Sequence, residues 1–270
     1  MGLMNIMKEN QIPSEYSLKD DLKLAILAGK TSVQMLRKSK AERKPFVKTD
    51  GSPVTQQDLY SQKIIIQTIK KQRPFDKFLS EESKSKITRN GRVWIIDPID
   101  GTTNYVMHIP FAAINIALQN NRKPIVSLTM SIFQSECLYR IGTEPIQYIG
   151  DKYSIAERKI VLIDTIPADI NHKQIGEIAT KLYLKKIGIR SLGSAAMGVM
   201  YVATGRADAY FAPRLHLWDI APALHFSVES DLEIRTLEGK PWTEEEKGFC
   251  IIRKSCKQIY EALGWNQNVI

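Results

Sequence analysis

The spacing of hydrophobic and polar residues along the chain predicts a set of amphipathic helices. Apolar residues recur at helical intervals from Ser17 to Lys38, where Ser17 and Asp20 fit a capping box, and again from Thr55 to Lys71. The same period predicts later helices at about His172–Leu184, Ser194–Thr204, His216–Glu229 and Ser255–Leu263.

Short runs rich in β-branched and aromatic residues predict strands between these helices. They lie at Phe75–Leu79, Val93–Ile96, Ala112–Gln119, Ile125–Met130, Glu136–Arg140, Ile160–Ile163, Ile187–Ser191, Ala207–Phe211 and Phe249–Ile252. Turn-rich gaps in the middle of the chain favour an antiparallel meander, and Asp50-Gly51-Ser52-Pro53 marks a turn in the polar loop from Lys40 to Pro53. Because strands and helices alternate unevenly, the pattern favours a layered α/β or α+β fold over a parallel doubly wound sheet.

The composition is that of a soluble globular protein, since the 270 residues are 43% hydrophobic and 25% charged. This length fits one large domain or two modest ones that share a core. No apolar stretch approaches membrane-spanning length, and Met1–Tyr16 lacks the apolar core of a secretion signal. We therefore expect a cytoplasmic protein that has no membrane partner.

The formal net charge of +9 does not by itself predict a nucleic-acid partner. Lysines and arginines are spread among acidic residues, without an arginine-rich tail or an aromatic-basic motif. A basic surface can steer an anionic small substrate, although a solvated lysine-rich surface is the simpler explanation. Neither a disulfide framework nor a zinc site is predicted from the spacing of Cys137, Cys250, Cys256, His108, His172, His216 and His225.

The segment Trp94–Asn104 contains the strongest candidate chemistry. Val93–Ile96 has the composition of a buried strand, and Pro98 should end it because proline cannot donate a ladder hydrogen bond. Two aspartates, Asp97 and Asp100, stand at the end of this strand.

The residues that follow favour a bound anion. Gly101-Thr102-Thr103 offers backbone N–H groups at a predicted helix start, where negative charge is favoured. Neighbouring carboxylates and an anion are compatible when a hard divalent cation with oxygen ligands bridges them. The alternative is an ordinary turn at Asp100-Gly101, but the repulsion between the two aspartates favours the metal hypothesis.

Three further acidic positions stand at the ends of predicted elements, and each also has a structural explanation. Asp58 and Thr55 fit a capping box, and Glu81-Glu82 suits a solvated loop or a first helical turn. Asp219 follows Leu215-His216-Leu217-Trp218 and suits the positive end of a helix dipole. Sequence spacing alone does not bring these sites together.

Several segments, in this order, closely resemble the motifs of the inositol monophosphatase family. The resemblance extends from about Lys48 to the C-terminus, and the ordered set is far more specific than any single segment. The matching segments are Gly51-Ser52-Pro53-Val54-Thr55 with Asp58, Glu81-Glu82-Ser83, Asp97-Pro98-Ile99-Asp100-Gly101-Thr102-Thr103-Asn104, Gly188-Ile189-Arg190-Ser191-Leu192-Gly193-Ser194-Ala195-Ala196, Val202-Ala203-Thr204-Gly205-Arg206-Ala207-Asp208-Ala209-Tyr210 and Trp218-Asp219-Ile220-Ala221.

This resemblance implies a fold and an assembly. The expected fold is a layered α-β-α-β-α sandwich of the sugar-phosphatase type, in the α/β (α+β) class, and the expected assembly is a homodimer. We predict one phosphatase domain over residues 1–270. Its subregions are about 1–145, with the metal and phosphate site, and 146–270, with the substrate wall and the last metal ligand.

The resemblance also implies roles for individual residues. Two or three Mg²⁺ ions would be held by Glu81, Asp97, the backbone carbonyl of Ile99, Asp100 and Asp219. The predicted catalytic residues are Asp58 and Thr102, which would orient and deprotonate the attacking water, and Glu81. The predicted substrate contacts are Gly101, Thr102 and Thr103 at the phosphate, and Gly193, Ser194 and Ala195 at the alcohol part. The implied reaction is hydrolysis of a small, inositol monophosphate-like phosphate monoester by metal-activated water.

One departure from the family pattern leaves the alcohol part of the substrate open. Ala212 stands where inositol phosphatases of the family usually carry an acidic residue that binds a sugar hydroxyl, and Val228–Leu232 lacks paired glycines. Arg214 is a candidate for meeting a second anionic group, although a surface arginine is the simpler explanation. The alternatives are a 3′(2′),5′-bisphosphate nucleotidase, an NADP phosphatase or a histidinol-phosphate phosphatase. An RNA- or transcription-complex-binding protein on this fold is a further alternative, which the clustered acids disfavour.

Overall fold

The computed structural model describes residues 16–39, 44–47, 53–83, 88–151, 159–165 and 171–266. Residues 1–15 and most of the predicted polar loop, including Gly51 and Ser52 of the family-like motifs, lie outside the described residues. Among the helices that are described, none is long and apolar enough to cross a membrane.

The described helices and strands agree closely with the hydrophobic pattern. The helices are α1 (Leu18–Lys38), α2 (Gln56–Lys70), α3 (Thr102–Val106), α4 (His172–Leu184), α5 (Ala195–Ala203), α6 (Leu217–Phe226) and α7 (Lys257–Leu263). The strands are β1 (Phe46–Val47), β2 (Pro53–Val54), β3 (Lys77–Ser80), β4 (Arg92–Asp100), β5 (Ala113–Asn120), β6 (Lys123–Ser131), β7 (Cys137–Ile141), β8 (Gln147–Ile149), β9 (Ile160–Ile163), β10 (Gly188–Arg190), β11 (Ala209–Ala212), β12 (Leu232–Arg235) and β13 (Phe249–Arg253).

Two sheets alternate with three layers of helices. The first sheet has the order β3-β4-β5-β6-β7-β8 and is antiparallel except between β3 and β4, which confirms the predicted meander. The second has the order β10-β9-β11-β13-β12, with parallel pairs on both sides of β9. Helices α1 and α2 cover the first sheet, α5 and α6 lie between the sheets, and α4 and α7 cover the second. The layered α-β-α-β-α prediction is therefore confirmed.

This layering explains why the central strands carry apolar residues on both faces. In β9 and β11, Leu162 and Tyr210 point toward α5 and α6, while Val161 and Phe211 point toward α4 and α7. Successive side chains of a strand point to opposite faces, so a sheet with helices on both faces needs apolar residues at every position.

The strand does not end at Pro98, so the predicted boundary is wrong. Strand β4 continues to Asp100, but its pairing with β5 is interrupted between Asp97 and Asp100. The missing N–H of Pro98 therefore produces a bulge instead of a strand end, and its carbonyl accepts a hydrogen bond at 2.8 Å from the Ser61 hydroxyl of α2.

The edge strands β8 and β12, of three and four residues, were not anticipated by the hydrophobic pattern. Other strands of this length, such as β10, were predicted from their β-branched residues, and the start of the five-residue helix α3 was predicted at Gly101-Thr102-Thr103.

A buried ionic network joins α1 to the first sheet. Asp21 accepts hydrogen bonds from Arg73 at 2.8 Å and from Arg92 at 2.9 Å. Arg92 also donates to Asp76, which in turn accepts the indole N–H of Trp94 at 2.7 Å. The side chain of Asp21 is 0% exposed, so this carboxylate is the shared counter-charge of two buried guanidinium groups.

Replacing Asp21 by alanine should lower the free energy of unfolding by about 3–5 kcal/mol, because it leaves two buried cations without their shared partner. Urea denaturation measures this loss. Lys23→Ala is the matched control, since it removes an ion pair that α1 makes with Asp20 in solvent, and its unfolding midpoint should be unchanged. Equal stability of Asp21→Ala and the wild type would contradict the inferred role of the network.

Candidate active site

The end of β4 places two buried carboxylates next to each other. Oδ1 of Asp97 accepts the N–H of Ile99 at 3.0 Å, which turns the chain back within the bulge. Oδ1 of Asp100 accepts the hydroxyl of Ser194 and, at 3.1 Å, the N–H of Ala196. The second of these aspartates is therefore held by the start of α5, from the other half of the chain.

A third carboxylate reaches the same place from α6. Asp219 lies in the first turn of α6, and its Oδ2 accepts the N–H of His216 at 2.6 Å. Carboxylate oxygens of Asp97, Asp100 and Asp219 lie within 4.8 Å of one another. Three of the predicted metal ligands, two from the end of β4 and one from the start of α6, are thus brought together.

Asn115 of β5 links α6 to β4, the strand that carries Asp97. It pairs with Asp97 across β4 and β5, and its amide donates to the carbonyl of Asp219 at 2.9 Å. The Thr129 hydroxyl donates to the amide oxygen of Asn115 at 2.7 Å, which directs the NH₂ group toward α6. The backbone that carries Asp219 is therefore fixed relative to Asp97.

The electrostatics of the cluster favour a bound cation. Burial raises the pKa of Asp97 well above its usual value, and the charges of Glu81 and Asp100 raise it further. Burial and the charge of Asp219 raise the pKa of Asp100 well above its usual value, although its hydrogen bond from Ser194 acts in the opposite direction. Carboxylate oxygens are the ligands that Mg²⁺ and other hard divalent cations prefer, so the residues fit such an ion.

The other two predicted metal ligands lie beside this group. Glu81 follows β3, and its N–H donates to the carbonyl of Ile96 at 3.2 Å, although its carboxylate is outside the group of three. The carbonyl oxygen of Ile99 lies 3.1 Å from Oγ1 of Thr102, the hydroxyl that also contacts Asp58. Both positions are therefore at the edge of the same acidic centre.

The predicted pair of Asp58 and Thr102 is in contact. The Thr102 hydroxyl donates to Oδ1 of Asp58 at 3.1 Å. Oδ2 of Asp58 accepts the N–H of Thr55 at 2.7 Å and also its hydroxyl, so the capping box is present as well. Burial raises the pKa of Asp58, and hydrogen bonds from Thr55 oppose that shift.

The predicted phosphate segment and substrate wall touch each other at a glycine. Gly101 has a φ of +84°, and a Cβ there would lie 2.9 Å from the carbonyl oxygen of Phe111 and 3.1 Å from Cβ of Ser194. Ser194 caps α5, with its hydroxyl accepting the N–H of Met197 at 3.3 Å. Thr103 is exposed at the start of α3, while Ala195 is buried in α5.

Several residues around the site were missed by sequence reasoning. They are Ser61, which contacts the bulge, Asn115, which holds α6, and Asn104 and Asp164, which hold the loop before Ser194. Asn104 lies inside the candidate segment, but the others are isolated polar residues, and nothing in their sequence surroundings distinguishes them. These residues give buried polar groups their hydrogen-bond partners, and they can be recognised by that role only once the fold is known.

The comparisons with known proteins point to one family. The model described as inositol monophosphatase family matches residues 17–259. The chain is 31% identical to Homo sapiens inositol monophosphatase 1 over 202 residues, which cover 70% of this chain and 73% of the human protein. It is 30% identical to the inositol-1-monophosphatase of Mesorhizobium japonicum, covering 88% of this chain and 86% of that one. The crystal structure of extragenic suppressor protein suhB from Bartonella henselae is similar in fold, with a TM-score of 0.80 at 24% identity over 90% of this chain and 98% of that one.

In metal-free protein, Asp97→Asn should be more stable than the wild type, by an amount that grows with pH. The raised pKa of Asp97 means that folding favours its protonated form. The stabilisation of the folded state that results is complete below the ordinary carboxyl pKa of 3.8, and it is lost as the pH rises through the raised pKa of Asp97. Asparagine stays neutral, so the difference in free energy of unfolding should increase between about pH 5 and about pH 8. The pKa of His225, lowered to about 4, has the opposite effect, but it is present in both proteins and cancels.

Urea denaturation in the presence of a chelator measures this difference. Adding Mg²⁺ at about pH 8 should then favour the wild type, which gains about 2.7 kcal/mol when the ion is at about 100 times its Kd. The variant has lost one ligand charge and should gain much less. Equal stabilisation of both proteins by Mg²⁺ would show that Asp97 does not face the ion.

Proposed function

The chain belongs to the inositol monophosphatase family, a family of phosphoric monoester hydrolases, and from this premise we propose that it is a Mg²⁺-dependent phosphatase of a small phosphate monoester. The observation that carries the proposal is the convergence of three carboxylates, those of Asp97, Asp100 and Asp219. Their mutual repulsion has no structural benefit, and a pure binding surface would gain nothing from it.

We propose that the carboxylates of this centre coordinate the metal ions. Asp97, Asp100 and Asp219 would hold the ions, together with Glu81 and the backbone carbonyl of Ile99, and we propose two or three ions by family resemblance. When bound, Mg²⁺ supplies charge neutralisation at the phosphate and lowers the pKa of a coordinated water.

Asp58 and Thr102 are placed to move the proton of the attacking water. The Thr102 hydroxyl donates to Oδ1 of Asp58, so its oxygen lone pairs remain available to accept a hydrogen bond from water. As the water oxygen attacks phosphorus, the bond between phosphorus and the alcohol oxygen breaks, and the departing alkoxide takes a proton from solvent. The proton of the attacking water passes to Thr102 Oγ1, and the Thr102 proton passes to Asp58. The raised pKa of Asp58 makes this carboxylate a better proton acceptor near neutral pH.

The substrate would lie between the two halves of the chain. Gly101, Thr102 and Thr103 are proposed to donate to the phosphate, because they form the start of α3, where backbone N–H groups have no partner within the helix. Gly193, Ser194 and Ala195 are proposed to contact the alcohol part, because Ser194 lies against Gly101 and hydrogen-bonds Asp100.

The alcohol part of the substrate is proposed to resemble that of an inositol monophosphate. Ala212 is 1% exposed and adds no charge to the wall, so the alternatives remain a 3′(2′),5′-bisphosphate, NADP or histidinol phosphate. A missing carboxylate removes a strong acceptor for sugar hydroxyls and weakens selectivity for the most hydroxylated of these compounds. By the same resemblance we propose a homodimer, which light scattering at several concentrations would test.

Phosphate release from a panel of these four substrate classes tests the proposal. The wild type should hydrolyse at least one of them in Mg²⁺, and a chelator should abolish the reaction. Asp97→Asn should lose activity by at least about a hundredfold, because one ligand charge disappears. Chelator-resistant turnover, or no release from any member of the panel, would refute the proposed function.

Asp58→Asn should lower kcat by about 10²–10⁴-fold, since an amide cannot take the proton that Thr102 passes on. The stabilisation by Mg²⁺ should be largely retained, because Asp58 lies outside the group of three carboxylates. A kcat within about threefold of the wild type would exclude Asp58 from proton transfer.

A further inference from the structure

Asp164 occupies the strand position next to Ala212. It follows β9 directly, and its N–H donates to the carbonyl of Phe211 at 2.9 Å, so the pairing of β9 with β11 continues to this residue. Side chains alternate along a strand, which places Asp164 on the same face as Leu162 and toward α5. The chain therefore carries an acid one strand away from the position where the family pattern expects it.

The carboxylate of Asp164 is occupied by the loop that precedes α5. Oδ1 accepts the N–H of Gly193 at 2.9 Å, the N–H of Leu192 at 3.2 Å and the hydroxyl of Ser191 at 2.9 Å. Oδ2 accepts the hydroxyl of Tyr210 at 3.0 Å. Three donors from the loop therefore converge on Oδ1, while Oδ2 is bonded to one donor from β11.

The same loop is held from its other side by Asn104. The amide nitrogen of Asn104 donates to the carbonyl of Leu192 at 2.6 Å and is 3.2 Å from the carbonyl of Gly193. Gly193 has a φ of +68°, and a Cβ there would lie 3.1 Å from this amide nitrogen. Asp164 thus holds the N–H groups of the loop, and Asn104, in α3 beside the phosphate segment, holds the carbonyl of Leu192 and, at 2.7 Å, that of Phe111.

We propose that Asp164 is a positioning residue for substrate selectivity, an inference that rests on the proposed function. Its carboxylate fixes Leu192 and Gly193, and through them sets where the wall formed by Gly193, Ser194 and Ala195 meets the alcohol part of the substrate. Because every donor on Oδ1 comes from the loop, Asp164 acts through the loop. With Ala212 beside it, the wall presents backbone groups and small side chains to the alcohol.

Asp164→Asn tests this role in two independent measurements. Asparagine keeps one acceptor oxygen but has no charge, so the loop N–H groups lose their charge-assisted hydrogen bonds, and hydrogen exchange in a peptide covering residues 188–194 should become about tenfold faster. The KM for the best substrate of the panel should rise about tenfold with kcat nearly unchanged, since the wall binds ground state and transition state alike. The inhibition constant of inorganic phosphate should stay within about twofold, because phosphate lacks the alcohol part.

Asp208→Asn is the matched control. Asp208 directly precedes β11 and lies beside the first residue of β9, at the end of that strand opposite to Asp164. It accepts the N–H of Ile160 at 2.8 Å and contacts Lys159 and Cys256. This variant weakens a hydrogen bond to β9 but none to the loop that precedes α5. Its hydrogen exchange in the peptide covering residues 188–194 and its KM should therefore match the wild type.

The possible outcomes separate the proposal from its premise. Unchanged exchange in Asp164→Asn would overturn the claim that this carboxylate holds the loop, whatever the enzyme hydrolyses. Faster exchange with an unchanged KM, or an equal change in the inhibition constant of phosphate, would overturn the assignment to selectivity. A wild type that is inactive on every substrate would refute the proposed function alone and leave the exchange experiment decisive for the loop.

Discussion

Repulsion between buried carboxylates is the constraint on which the arrangement of this site depends. Asp97 and Asp100 are 1% and 5% exposed, and Asp219 adds a third carboxylate within 4.8 Å. Carboxylates in such surroundings cost free energy whenever they are charged and have no counter-ion. The surrounding structure must hold them together against this cost, and it does so with hydrogen bonds from several separate elements.

The supports come from the first sheet and from helices on both of its faces. Ser61 of α2 donates to Pro98 in the bulge, and the hydroxyl of Ser32 in α1 lies 2.7 Å from that of Ser61. Asn115 of β5 fixes the carbonyl of Asp219, and Ser194 donates to Asp100. Because each support lies on an element anchored in an apolar core, the acidic centre is held more rigidly than a loop would allow.

The proposed substrate wall is built differently from the acidic centre. The backbone of the loop before α5 lies between Asp164 and Asn104, and Gly193 permits the close approach that this requires. Both parts contain residues that match the family motifs, but the position of the wall also depends on how two strands and a loop are placed. A change such as Ala212 can therefore alter the alcohol that is accepted while the carboxylates stay in place.

The sequence by itself determined the local elements and the type of chemistry. Helices α1 and α2, the meander and the strand carrying Asp97 were predictable, because hydrophobic period and capping residues are local properties. The paired acids of β4 and the motifs around them also predicted a metal and a phosphate. Only the tertiary structure decided that Pro98 makes a bulge, that Ser61 and Asn115 support the acidic centre, and that Asp164 lies beside Ala212. These facts depend on contacts between residues far apart in the chain, and such contacts leave no periodic trace in the sequence, because they are fixed by how the layers pack.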